Sequence, residues 1–227
     1  MTKLESANSV IDEIRKRTDE IAIALSLGKD SLVTLDLCYG KFKRIVCFYM
    51  YFVPGLEHME RWIRWTRSRY PGIELVQIPH WNLSYLLRSG LYCAPQPKVK
   101  LINLADVCKA VRENYGVQYV FLGMKKADGM NRNLMLKGYA HSNYINNDMV
   151  YPLAEWNQRE ILTYMKSRGL PEPVRYSLKA SSGLGFGEDC FLWLREHFPQ
   201  DLLKIYQAFP MSRRILFEHD YRQKNKE

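Results

Sequence analysis

Short apolar runs alternate along the chain with longer segments whose apolar residues recur every three or four positions. The short runs predict strands at residues 21–25, 44–52, 73–78 and 117–123. The periodic segments predict helices at residues 1–19, 31–39, 56–70, 101–115 and 157–168. Strands that alternate with helices form a parallel sheet covered on both faces. The pattern therefore predicts an α/β protein with a mostly parallel sheet and helices on both faces.

Other segments give weaker signals. Residues 80–100 show no clear period, residues 124–137 predict a basic loop, and residues 144–147 predict a short strand. Ahead of the helix at residues 157–168, Asn157 and Glu160 have the spacing of a capping box, in which each side chain bonds the backbone N–H of the other residue.

A short polar turn joins the first strand to the first helix of this alternation. The turn consists of Ser26, Leu27, Gly28, Lys29, Asp30 and Ser31. The first N–H groups of a helix lack internal partners and the helix dipole adds positive potential, so this arrangement suits a phosphate. Gly28 permits close backbone approach, and Lys29 supplies a mobile positive charge. The plainer interpretation is an ordinary turn with a surface lysine.

A second glycine-containing stretch, residues 123–132, follows the fourth predicted strand. It carries Gly123 and the cations Lys125, Lys126 and Arg132. Ligands of parallel sheets bind at the carboxyl ends of the strands, so we expect this stretch to lie beside the first turn. Taken alone, the stretch is equally compatible with a solvated basic loop.

These two stretches resemble motifs of the PP-loop enzymes, the adenine nucleotide alpha hydrolases. Their pyrophosphate-binding loop reads S-G-G-K-D-S, and Leu27 stands where the family usually has glycine. Gly123, Lys125 and Arg132 match the order of a Gly, a basic residue and an Arg in the 3′-phosphoadenylylsulfate (PAPS) reductase branch.

A third segment extends the resemblance. Residues 151–156, a helix and then residues 169–173 are similar to the P-L-x-x-W, helix, G-L-P segment of the same branch. Its expected role is structural, a corner that packs a helix onto the sheet. With three signatures in order over residues 20–175, the chain is identified as PAPS reductase-like, and phage or mobile-element proteins are among such relatives.

The resemblance implies a Rossmann-like nucleotide-binding domain at residues 1–175. Residues 176–227 are then a helical extension with a glycine-rich lid at residues 181–187 and a basic tail. The implied nucleotide contacts are Ser26, Leu27, Gly28, Lys29, Asp30, Ser31, Gly123, Lys125 and Arg132. Lys29 and Asp30 are the implied catalytic residues, and Asp30 is also a candidate contact for Mg²⁺, directly or through water.

Three functions follow from this resemblance. The first is an enzyme that binds ATP with Mg²⁺, cleaves it at the α-phosphate, releases pyrophosphate and adenylylates an acceptor, with sulfur transfer as one purpose. The second is PAPS reductase itself, with Cys190 as nucleophile and thioredoxin as electron donor. The E-C-G-[IL]-H segment of that enzyme is missing, and its nearest match is Glu188, Asp189 and Cys190. The third is a nucleotide- or nucleic-acid-binding partner without turnover.

The composition of this chain of 227 residues limits the classes of partner and site that we expect. Its net charge of +9 suits a polyanion such as a nucleotide or a nucleic acid. The five cysteines are scattered without a C-x-x-C pair, which argues against a disulfide framework, a zinc site or an iron–sulfur cluster. No apolar run approaches the roughly 20 residues of a membrane span, and the N-terminus has no signal-peptide core. We therefore expect a cytoplasmic protein; the acceptor and the oligomeric state stay open.

Overall fold

The computed structural model describes residues 2–173 and 185–225. Its helices are α1 (Lys3–Arg15), α2 (Lys29–Cys38), α3 (Glu57–Arg69), α4 (Leu83–Ser89), α5 (Leu104–Tyr115), α6 (Met130–Gly138), α7 (Gln158–Ser167), α8 (Glu188–His197), α9 (Pro199–Ala208) and α10 (Arg214–Lys224). Its strands are β1 (Glu20–Ala24), β2 (Arg44–Tyr51), β3 (Glu74–Pro79), β4 (Tyr119–Phe121), β5 (Ile145–Asn146) and β6 (Met149–Val150).

The six strands form one sheet in the order β3-β2-β1-β4-β6-β5. β1 lies centrally and pairs in parallel with both β2 and β4, so that Ile23 stands opposite Cys47 and Phe121. β6 continues the parallel pairing, and β5 is antiparallel to β6. The predicted α/β class with a mostly parallel sheet is therefore confirmed, as are C-terminal helices.

Several boundaries differ from those predicted. Helix α2 begins at Lys29, two residues ahead of the predicted start at Ser31. The predicted loop at residues 124–137 contains a 3₁₀ turn at Lys126–Asp128 and helix α6. Helix α4 lies in the segment without a clear period, and the two-residue strand β6 was not predicted. These elements are short, and short elements give weak periodic signals.

The chain forms two compact units. The first consists of Met1–Tyr49, Arg67–Gln77 and Cys108–Pro173, and the second of Met50–Thr66, Ile78–Val107 and Val174–Glu227. The division near residue 175 stays a prediction. So does the glycine-rich lid, since its residues 181–184 lie outside the described residues.

Asp36 anchors helix α7 to helix α2 in the first unit. This buried carboxylate accepts hydrogen bonds from the Tyr70 hydroxyl (3.0 Å), the Tyr164 hydroxyl (2.8 Å) and Arg168 Nε (2.9 Å). Every partner is a donor, so the charge is compensated although it is buried. These bonds anchor the C-terminal half of helix α2 to helix α7.

The segment at residues 151–156 is the structural corner that the sequence predicts. Leu153 and Trp156 are buried, and the Trp156 indole N–H donates to the carbonyl oxygen of Lys3 at 3.0 Å. The capping box that follows is confirmed, since Asn157 Oδ1 accepts from the Glu160 N–H (3.1 Å) and Glu160 Oε2 accepts from the Asn157 N–H (2.7 Å).

Asp201 performs a similar task for helix α3 in the second unit. Its carboxylate accepts from the N–H groups of Glu57 (2.8 Å) and His58 (2.9 Å) and lies 2.8 Å from His58 Nδ1. Burial lowers the pKa of His58. Burial alone would raise the pKa of Asp201, but the bonds from the His58 and Glu57 backbone outweigh it and lower that pKa.

The five cysteines are buried thiols, none more than 7% exposed. Burial raises the pKa of Cys47 to about 12 and that of Cys108 to about 11. None of the helices within residues 2–173 and 185–225 is long and apolar enough to cross a membrane.

Candidate phosphate-binding site

The turn after β1 adopts a conformation that favours glycine. The ladder with β2 continues one residue past β1, because the Leu25 N–H donates to the Phe48 carbonyl oxygen at 2.9 Å. The chain then reverses at Leu27, whose φ of 60° lies in the left-handed region. A side chain there costs about 1–2 kcal/mol, and the burial of this one, at 3% exposure, offsets that cost.

Helix α2 starts at this turn without a side-chain cap. Its N-cap residue, Gly28, has an extended backbone with φ −85° and makes no capping bond. The first helical bond runs from the Leu32 N–H to the Gly28 carbonyl oxygen at 3.0 Å. Within the part of the chain that the structure describes, no acceptor pairs with the N–H groups of Lys29, Asp30 and Ser31. Those three donors and the positive end of the helix dipole are available to an anion.

Two serine hydroxyls form hydrogen bonds within the turn. Ser26 Oγ and Ser31 Oγ lie 3.1 Å apart, and Ser31 Oγ donates to the Gly28 carbonyl oxygen at 3.0 Å. Ser31 is buried and Ser26 is exposed. Ser31 therefore holds the shape of the turn, and Ser26, which also accepts the Gly28 N–H at 3.4 Å, is the more exposed of the two hydroxyl residues.

Gly123 brings the second stretch against the first. A Cβ at this position would lie 2.9 Å from the Asp30 carbonyl carbon and 3.1 Å from the Ser31 backbone nitrogen. Real Cβ atoms do not approach backbone so closely, and only glycine fits. The end of β4 and the first turn of α2 are thus in backbone contact, and the expected proximity of the two stretches is confirmed.

The charged residues of the two stretches form a chain of alternating sign. Asp30 Oδ2 pairs with Lys29 Nζ at 2.9 Å, and Asp30 Oδ1 pairs with Lys125 Nζ at 2.7 Å. Lys125 Nζ also lies 2.8 Å from Asp128 Oδ1, and Asp128 Oδ2 pairs with Arg132 at 2.9 Å. Burial would raise the pKa of Asp128, but its bonds to Lys125 and Arg132 lower it overall.

The members of this chain differ in their access to solvent. The Lys29 and Arg132 side chains at its two ends are 30% and 50% exposed, whereas the Lys125 side chain is 2% exposed. Lys29 and Arg132 can reach a ligand as they stand. Lys125 contacts one only if its ion pairs open, so in this structure it positions Asp30 and Asp128.

Asp128 is not among the site residues predicted from the sequence. It joins Lys125 to Arg132 and also accepts the Lys125 backbone N–H at 2.9 Å. The spacing K-x-x-D-x-x-x-R is the signal that could have found it, since residues three and four apart are neighbours on a helical turn.

Lys126 belongs to a different cluster from the other cations. Its Nζ lies 3.0 Å from the Tyr144 hydroxyl and 2.5 Å from Glu155 Oε1. Burial would lower the pKa of Lys126, but these partners outweigh it and raise that pKa. Lys126 therefore ties the 3₁₀ turn to the structural corner.

A metal contact at Asp30 stays a prediction. Both of its carboxylate oxygens pair with lysines, so a direct bond to Mg²⁺ would replace one of these ion pairs. Among the described residues, no group of three or more His, Cys, Asp or Glu side chains is placed to hold a metal ion. The residues as they stand do not fit a direct Mg²⁺ site.

Cys190 lies in the second unit. It is the third residue of α8 and is 4% exposed. Its predicted reactivity stays a prediction.

Comparison with known proteins identifies one family model and similar folds. The model of the phosphoadenosine phosphosulfate reductase domain matches residues 20–176, a span that includes both stretches of the site and ends before Cys190. A search of curated proteins found no significant match.

Two solved structures have a related fold. The NH3-dependent NAD synthetase of Campylobacter jejuni has a TM-score of 0.50 and 14% identity, over 97% of this chain and 96% of its own. Candida glabrata FMN adenylyltransferase, solved with FMN and the ATP analogue AMPCPP, has a TM-score of 0.50 and 16% identity, over 80% of this chain. The match spans 63% of the Candida enzyme. At these identities the likeness shows the fold alone; a phage origin and sulfur transfer stay predictions.

Proposed function

The chain belongs to the phosphoadenosine phosphosulfate reductase domain family, and from this membership we propose that it is an ATP-dependent enzyme that transfers AMP to an acceptor and releases pyrophosphate. The uncapped start of helix α2 carries this proposal. Three adjacent N–H donors, a glycine cap and a partly exposed lysine make a site whose chemistry suits a chain of phosphates.

In this proposal the β- and γ-phosphates occupy the turn at residues 26–31. The acceptor forms a bond to the α-phosphorus while the bond to the bridging oxygen breaks, and that oxygen keeps the electron pair as pyrophosphate leaves. Lys29 neutralises the charge that builds on the leaving group. To do so, it exchanges its ion pair with Asp30 for one with phosphate, and Asp30 retains its contact with Lys125.

Arg132 is the second mobile cation of the proposal. Its 50% exposed side chain is anchored at one side by Asp128, which leaves its other donors to grip a phosphate or the acceptor. The three cations Lys29, Lys125 and Arg132 outnumber the acids Asp30 and Asp128, so the site is cationic before ligand arrives. Mg²⁺, when bound, would shield phosphate charge and take most of its ligands from phosphate oxygens and water.

The known neighbours make ATP the first ligand to test. The Candida enzyme is an adenylyltransferase solved with an ATP analogue, and the proposed reaction is also an adenylyl transfer. A second candidate, reduction of PAPS by Cys190, is favoured by the family name and by the position of Cys190 in the first turn of α8. Burial of Cys190 counts against it, because a nucleophile must reach its substrate.

Isothermal calorimetry with ATP and Mg²⁺, and separately with PAPS, distinguishes the candidates. We expect micromolar ATP binding and much weaker PAPS binding, followed by pyrophosphate release once an acceptor is supplied. Tighter binding of PAPS would contradict the proposal and make Cys190→Ser the next variant. Binding of neither ligand would contradict both candidate functions, although the fold would stand.

A further inference from the structure

Five aromatic side chains of the second unit form a cluster. Phe52 follows β2, His80 and Trp81 follow β3, and Tyr92 and Phe186 lie beside them. We call this set the aromatic shelf. All five side chains are partly exposed, whereas large aromatic side chains of a domain core are covered.

The rings of the aromatic shelf stack in two pairs. Phe52 and His80 lie 4.4 Å apart at an interplanar angle of 21°, and Tyr92 and Phe186 lie 4.8 Å apart at 14°. Phe52 meets Phe186 edge to face at 5.9 Å, and Trp81 extends the array from His80 at 5.3 Å. The rings are thus held in fixed orientations and remain partly exposed, which suits a ligand that is itself planar.

His80 contributes a neutral ring with one donor. Its Nδ1 accepts the Asn82 N–H at 3.0 Å, so the proton of the neutral imidazole is on Nε2. Burial lowers the pKa of His80, which keeps the ring neutral. The ring can therefore stack and donate one hydrogen bond at the same time.

Tyr92 is held in a strained backbone conformation. Its φ of 68° is in the left-handed region, which is costly for a bulky side chain. The Met211 N–H donates to the Tyr92 carbonyl oxygen at 2.9 Å, and the ring stacks on Phe186. Strain of this kind is retained at ligand sites more often than elsewhere.

The segment that supplies most of the aromatic shelf is basic. Residues 78–107 contain Arg88, Lys98 and Lys100 and a single acid, Asp106. All three cations are exposed, and none forms an ion pair within residues 2–173 and 185–225. Exposed cations in the same segment as partly exposed rings favour an anionic partner over an apolar one.

We propose that the aromatic shelf binds single-stranded nucleic acid, whose bases stack on the rings while Arg88, Lys98 and Lys100 contact its phosphates. Unpaired bases offer flat faces at regular intervals, and the backbone between them carries the negative charge that these cations match. This inference goes beyond the proposed ATP chemistry and does not depend on it.

Fluorescence anisotropy of the full chain with labelled single-stranded oligo-dT and oligo-rU tests the proposal without added nucleotide. We expect Trp81→Ala and Tyr92→Ala each to weaken binding about tenfold, and Trp81→Phe to retain most of it because any aromatic face can stack. The control Phe217→Ala removes an aromatic side chain of the same unit that is 70% exposed, and it should leave binding unchanged.

Salt titration tests the role of the cations. Replacing Lys98 and Lys100 together with alanine should reduce the slope of log affinity against log salt by about 1.4, since each phosphate contact to a single strand contributes about 0.7. Thermal melting confirms that each variant is folded.

Three results would overturn the proposal. One is the absence of binding to either oligonucleotide at about 50 mM salt, where phosphate contacts are strong. Another is unchanged affinity in folded Trp81→Ala and Tyr92→Ala. The third is equal competition by duplex DNA, whose bases are already stacked on one another.

Discussion

Helices α2 and α7 pack in the same unit, yet their first turns differ. Helix α7 starts with a complete capping box, in which Asn157 and Glu160 satisfy each other's backbone N–H groups. Helix α2 starts with Gly28 and has no side-chain cap. One start is closed by its own side chains, whereas the first N–H groups of the other, which we call the open start, have no partner among the described residues. The difference distinguishes a helix start that the protein caps itself, at α7, from one whose donors remain available, at α2.

Helix α3 of the second unit shows a third arrangement. Its first N–H groups are satisfied by the carboxylate of Asp201, which is distant in sequence. A negative charge at a helix N-terminus is favourable, and here a protein carboxylate provides it. At α2 the equivalent place is open to a phosphate, which carries the same sign of charge.

Removal of the lysine at the open start should have the largest effect. We expect Lys29→Ala to weaken ATP binding and to slow pyrophosphate release by about 100-fold, because it deletes the mobile charge that faces the leaving group. Calorimetry and a pyrophosphate assay measure both. Lys109→Ala, at a lysine of the same unit that is 67% exposed, is the matched control. An ATP-dependent activity that persists unchanged in Lys29→Ala would refute the mechanism.

Gly123→Ala should disturb the first turn of α2, which Gly123 contacts from the end of β4. Its Cβ would push on the Asp30 and Ser31 backbone, and such overpacking costs about 2 kcal/mol of unfolding free energy. Chemical denaturation measures this loss. Gly138→Ala is the control, because a Cβ there meets nothing within 4 Å and alanine favours the helix. Equal stability of the two variants would show that the contact with Asp30 can relax.

Gly28→Ser should convert the open start into a closed one. The serine hydroxyl can accept an N–H of the first turn, so we expect stability to rise by a few tenths of a kcal/mol. The same bond competes with phosphate, and ATP affinity should fall about tenfold. Thermal melting and calorimetry read the two effects separately. If ATP affinity is retained, the phosphates do not use these N–H groups.

Asn157→Ala should open the closed start of α7. Loss of an N-cap side chain typically costs about 1 kcal/mol, whereas ATP affinity should not change. Asn157→Asp keeps the cap and serves as the control for stability. A loss of ATP binding in folded Asn157→Ala would mean that the comparison between the two helices is wrong.

The central fold was predictable because its signals are local. The apolar runs located β1 and β2, and the capping box located the start of α7 before any contact was known. The start of α2 was predicted two residues late, because Ser31 is a typical capping residue and Gly28 is not. A helix start that has no side-chain cap gives no capping signal in the sequence.

The internal organisation of the charged residues was less predictable. Lys125 and Lys126 are adjacent in a basic stretch, which suggests that both face solvent. In the structure one pairs with Asp30 and Asp128, and the other with Glu155. These partners, Asp128 apart, are brought near by the sheet order rather than by sequence spacing. The positive φ of Leu27 is likewise a property of the turn, where the resembling family has glycine.

The burial of all five thiols has a practical consequence. Maleimide dyes react with accessible cysteines, so the folded protein should resist them and accept a label only where a cysteine is introduced. Met130, 74% exposed at the start of α6, is such a position and precedes Arg132 by two residues. A dye attached there through Met130→Cys would report the arrival of a nucleotide in real time, with no native cysteine to remove first.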